Sequence, residues 1–133
     1  MKAAGLLSLV LSILLTGAAQ KPNIDAAGYP EVQYGAQVWK DTHSGIILYV
    51  ESDARHVSAI SQTGKLLWTR DPFKDAHLEL YRTKHPQIAH IGPGPKAVWV
   101  KGNPNDFVDL GFNSSQFGLL RISDGEFFFG GQN

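Results

Sequence analysis

From residue 36 to its C-terminus the chain is cut into short pieces by turn-forming residues, and this rhythm limits its fold more than any other feature. Gly45, Ser52-Asp53, Thr63-Gly64, Asp71-Pro72, Pro86, the Gly92-Pro93-Gly94-Pro95 cluster, Gly102-Asn103-Pro104-Asn105 and Ser123-Asp124-Gly125 leave no room for a long helix. Between them lie stretches rich in β-branched and aromatic residues: 36–41, 46–51, 56–61, 65–70, 87–91, 96–101, 107–112, 117–122 and 126–129. Ile46 to Glu51 (IILYVE) is a continuous apolar run that suits a central strand covered on both faces. In 107–112, Val108, Leu110 and Phe112 share one face, while Phe107, Asp109 and Gly111 share the other. Asp124-Gly125 is the strongest hairpin signal. The expected fold is all-β: a small antiparallel sandwich, barrel or curved sheet of about eight short strands.

One segment reads differently. Asp71 and Pro72 suit an N-cap and a first helical residue, and Phe73, His77, Leu80 and Tyr81 then fall on one helical face. The spacing predicts a short helix near 72–81, ended by Pro86.

The N-terminus has a separate purpose. Met1-Lys2, the apolar run Leu6 to Leu15 and the small residues Thr16-Gly17-Ala18-Ala19 form the three parts of a secretory signal peptide. The apolar core is too short for a membrane span, which needs about 20 residues. The expected organisation is a signal peptide at 1–19, an irregular lead-in at 20–35 and one β-rich domain at 36–133. Removing residues 1–19 leaves 114 residues and takes away one lysine, so that 11 basic side chains face 12 acidic ones. That balance disfavours a nucleic-acid binder working by phosphate neutralisation. The chain has no cysteine, which excludes disulfides, thiol catalysis, cysteine-ligated zinc and lipid attachment behind the signal. Export without cysteine fits a bacterial periplasmic or secreted protein with no membrane span once the signal is cleaved.

A stretch from Leu48 to Asp71 (LYVESDARHVSAISQTGKLLWTRD) carries Ala59-Ile60, then Thr63-Gly64-Lys65 at a turn, then Trp68 four residues past the glycine. It resembles one repeat of the quinoprotein (PQQ-type) β-propeller family. Phe117 to Phe129 is a weaker echo, with Phe129 four residues past Gly125. A propeller typically needs at least four blades of about 40 residues, more than this chain holds, so the resemblance implies a propeller-like hairpin and not quinone chemistry. The segment Trp68 to Tyr81 also resembles uncharacterised exported bacterial proteins.

Sequence points to no catalytic constellation and calls for no cofactor. No Gly-x-Ser-x-Gly elbow is present. The carboxylates Asp106 and Asp109, or Glu51 and Asp53, have nothing to mark them as a catalytic pair. The metal candidates are Asp75, His77 and Glu79, which alternate and would line one face of a strand but would not converge on a helix. The binding candidates are Trp39 and Trp99, each in an expected strand, and Phe128, which must face away from Phe127 and Phe129. A face supplied with spare aromatics suits another envelope protein or a glycan. The reading is a non-enzymatic binding or interaction module of the envelope. The alternatives are a small metal-dependent or hydrolytic enzyme and a carbohydrate-binding module.

Overall fold

Each turn signal folds the chain back on the preceding strand, and the product is two four-stranded antiparallel sheets. The computed structural model describes residues 24, 28 and 30–133; the expected signal peptide, 1–19, lies outside them. The first sheet is β1 (Gln37–Lys40), β2 (Ile47–Val50), β3 (Val57–Ile60) and β4 (Leu66–Arg70). The second is β5 (Ile88–Pro93), β6 (Phe107–Phe112), β7 (Gln116–Arg121) and β8 (Phe127–Gln132). Strands lie in chain order within each sheet, so both are simple meanders, and among the described residues no barrel closes. Gly64 and Gly125 turn their hairpins at φ +88° and +74°, a region open to glycine and closed to most other residues.

The sheets share one core. Leu48, Val50, Val57 and Ala59 of the first meet Ile88, Val108, Leu110, Phe112, Leu120 and Phe127 of the second, with Phe73 of the connection packed among them. Full burial of each large side chain contributes roughly 1.5–3 kcal/mol.

Two sequence expectations fail. The helix is one turn only, α1 (Pro72–Asp75). Its cap is as expected: the Asp71 carboxylate accepts the Lys74 amide at 3.2 Å, and both its oxygens also lie 3.1 Å from the Arg55 guanidinium. The helix stops because His77 turns left-handed, at φ +52°, which brings the Leu78 amide onto the Phe73 carbonyl and Leu78 against the core. The apolar periodicity past His77 was therefore not helical; Leu80 is exposed.

The second failure is residues 96–101 (KAVWVK), which are bends and not a strand. β5 pairs directly with β6, and the intervening segment folds instead across the outer face of the second sheet. Gly94 and Gly102 make that possible: a Cβ on Gly94 would sit 2.7 Å from the Phe107 carbonyl oxygen, and one on Gly102 2.9 Å from the Phe107 ring. Under this flap Phe107 and Leu119, which point away from the core, are only 3% and 2% exposed. Covering those two side chains outweighs the local strand propensity.

Of the expected lead-in, Ile24 and Pro30 form an isolated antiparallel bridge and residues 31–35 have no regular structure, but the segment is tied down. The Gln87 side chain accepts the Tyr34 amide at 3.0 Å and donates to the Val32 carbonyl at 3.2 Å. No helix among the described residues is long and apolar enough to cross a membrane.

Candidate functional site

The outer face of the second sheet gathers aromatic, polar and side-chain-free positions in adjoining rows. Register places His90 opposite Gly111, Gly111 opposite Phe117, and Phe117 opposite Gly131. In the next row Gly92 lies opposite Asp109, Asp109 opposite Leu119, and Leu119 opposite Phe128. The first row therefore has a shallow floor. A Cβ on Gly111 would meet nothing closer than His90 Cβ at 3.9 Å.

Two rings bound this floor on the β8 side. A Cβ on Gly130 would lie 3.1 Å from Phe117 Cε2 and 3.2 Å from Trp99 Cζ2, so both rings reach the glycine backbone. Trp99 is 56% exposed and Phe117 38%. On the β5 side the His90 ring lies over Gly92, where a Cβ would come within 2.8 Å of it, and His90 Nε2 is 3.5 Å from Asp109 Oδ2. Both side chains are open to solvent, at 58% and 42%. The combination offers flat apolar rings, an accessible backbone, a carboxylate and an imidazole. Such a surface can stack against an apolar ligand face while hydrogen-bonding its polar edge.

The three expected binding residues separate. Trp99 stands on this surface, at the tip of the flap and not in a strand. Trp39 faces inward, half-buried against the core. Phe128 shares the outer face but is half-buried, edge-on to Phe107 at 6.0 Å and beneath the Arg121 guanidinium at 5.3 Å. The sequence reading missed Phe117, His90 and the Gly130-Gly131 pair, and weighed Asp109 only as a carboxylate paired with Asp106. The alternation in 107–112 already turned Asp109 and Gly111 away from the core and was the available signal.

Asp75, His77 and Glu79 are exposed around the end of α1. They are not brought together as ligands. Among the described residues the one group of three with metal-ligand atoms within 4.8 Å of each other is Glu51, Asp53 and His56, at the β2–β3 turn. These side chains already serve the turn. Asp53 Oδ1 accepts the Arg55 and His56 amides at 2.9 and 3.0 Å, its Oδ2 meets the His56 ring, and Glu51 accepts the Ser58 hydroxyl.

The hydrogen bond to Asp53 raises the His56 pKa above its ordinary 6.5, against partial burial and with help from the nearby acidic charges. Burial works to raise Asp53, but the amides of His56 and Arg55 and the His56 ring outweigh it, so Asp53 is lowered. A histidine raised in the folded state contributes stability below its unfolded pKa and loses it as pH rises through the folded one. NMR titration is expected to place His56 above 6.5, and Asp53→Asn to return it toward that value; a His56 titration unmoved by Asp53→Asn would refute the pairing.

No protein-family model, curated protein or solved structure matches the chain.

Proposed function

We propose that this chain is an exported, non-enzymatic binding module of the bacterial envelope, and that it meets its ligand on the outer face of the second sheet. The observation that carries the reading is the exposed Trp99 and Phe117 rings flanking a floor of glycines. Trp99 is held at the surface by a flap whose own glycines fit it to Phe107, so its exposure is built into the fold. Export rests on the three-part N-terminus. The Thr63-Gly64-Lys65 hairpin with Trp68 is read as a propeller-like unit used outside a ring, and it gives the module a scaffold without a cofactor.

A glycan ligand is the second reading. It is favoured by the Asp109 carboxylate and the His90 imidazole at the rim of the same floor, since sugars present apolar faces to rings and hydroxyls to carboxylates. A protein partner would use the rings and not need this rim.

Titrating the purified protein with solubilised envelope polysaccharide, followed by tryptophan fluorescence, tests both readings. Trp99→Ala is expected to weaken binding tenfold or more, about 1.4 kcal/mol, while stability changes by about 1 kcal/mol or less. Asp109→Asn weakens glycan binding and leaves a protein partner unaffected. Binding indifferent to both Trp99→Ala and Phe117→Ala would remove this face from the proposal.

A further inference from the structure

We infer that the outer face of the first sheet is the interface of a symmetric dimer, with a second copy of this chain as its occupant. Register and alternation put Val38, Ile47, Tyr49, Ile60 and Leu66 on that face, opposite the core. The run Ile46 to Glu51 suited a strand covered on both sides, yet within one chain only the inner side is covered. Val38 and Leu66 are each 59% exposed. An apolar sheet face of this kind marks an interaction surface. Its Ser58 and Thr69 hydroxyls are already satisfied within the face. The Ser58 and Thr69 hydroxyls pair at 2.9 Å, and Ser58 donates to Glu51 at 3.0 Å. Covering them therefore leaves no unpaired donor.

Two observations choose a second copy. The first is charge. Lys40 stands at one end of the face, opposite Ile47, and Glu51 stands at the other end, following Val50 on the adjoining strand. A two-fold axis lying across the strands at the level of Val38 and Tyr49 reverses the strand direction. It brings Lys40 of each copy to the Glu51 end of the other, with the apolar side chains stacked between. The second is closure. The opposite outer face of the molecule is spanned by the 94–102 flap, leaving Phe107 and Leu119 buried. The outer face of the first sheet, matched to itself, closes at two copies and does not propagate.

Four strands at ~4.8 Å spacing and four residues at ~3.3 Å rise give a footprint of roughly 19 by 13 Å, small beside a standard interface, which points to a weak dimer; a Kd on the order of 0.1 mM sets the range to be searched. Sedimentation equilibrium of the protein, in the processed form that export leaves, tests this up to about ten times that Kd. The expected result is a monomer–dimer equilibrium that weakens several-fold as salt rises from low to high. Tyr49→Lys and Leu66→Lys should each leave a folded monomer by circular dichroism. Lys40→Glu should weaken the dimer, and adding Glu51→Lys should restore it. A wild-type monomer throughout, a dimer that survives both lysine substitutions, or a charge swap without rescue would each overturn the inference. None of these outcomes touches the Trp99 surface, which lies on the other sheet.

Discussion

Gly118→Ala is expected to destabilise the protein by about 3 kcal/mol or more, read as a fall in the urea midpoint of unfolding with the slope retained. The reason is space, not backbone freedom. Gly118 lies in β7 with its missing side chain directed at the core, opposite Leu110 on one side and Phe129 on the other, where the β7–β8 register shifts. A Cβ there would stand 2.1 Å from the Phe128 carbonyl oxygen and 2.7 Å from Phe127 Cζ. The oxygen is backbone and cannot rotate away, so the strands must part. The Phe127 ring cannot yield either, because it packs edge-on to Phe112 at 5.8 Å within the core. The control is Gly111→Ala on the neighbouring strand. A Cβ there makes only an ordinary contact, 3.9 Å from His90 Cβ, and the change should be neutral or stabilising by about 0.5 kcal/mol. Equal costs at the two positions would mean that strand propensity, not the Phe127 contact, governs this sheet.

The contrast between those two glycines shows where sequence stops being informative. Both sit in the short β-runs identified from the sequence, and the turns that join the strands were legible because Gly64, Gly125 and Asp71-Pro72 announce themselves by local chemistry. The inward face of β6 was legible for the same reason: alternation is a local property. What was not legible depends on partners distant in the chain. Residues 96–101 have a strand's composition, but whether they form one is decided by Phe107 and Leu119, which need covering. His77 continues an apolar period that would extend the helix, yet Leu78 is drawn to the core and the helix ends. The candidate site follows the same rule. Trp99 stood among three aromatic binding candidates, in an expected strand, but its pairing with Phe117 across Gly130 depends on the flap crossing β7 and β8. Local sequence specified each strand's faces and left open which outer face would be covered.

Trp68→Ala should cost about 2–3 kcal/mol, less than a wholly buried tryptophan because Trp68 is half-buried, and still a large share of the roughly 5–15 kcal/mol that holds a domain of this size together. Trp68 is the residue of β4 that turns inward against the shared core, and its indole reaches across to the second sheet. Nε1 donates to the Ile122 carbonyl at 2.9 Å, and the ring's far edge lies against Gly125, where a Cβ would stand 2.6 Å from it. Two residues along the same strand, Arg70 Nε donates to the Asp124 carbonyl at 3.0 Å. Together these contacts latch the last strand of the first meander to the last hairpin of the second. The latch combines buried ring area with one hydrogen bond, and the two can be separated. Trp68→Phe keeps much of the area but strands the Ile122 carbonyl, which should cost about 1–3 kcal/mol. Thermal unfolding followed by near-ultraviolet circular dichroism distinguishes the cases, because loss of the latch should loosen aromatic packing before the strands melt. If Trp68→Ala costs under about 1 kcal/mol, the sheets are held by the Leu48–Leu110 core alone and the conspicuous tryptophan is incidental. If Trp68→Phe is as damaging as Trp68→Ala, the hydrogen bond and not the ring sets the angle between the sheets. That angle also fixes the direction in which each sheet's outer face looks. A slack latch would then leave the Trp99 surface and the Tyr49 face intact as patches while changing their relation to each other.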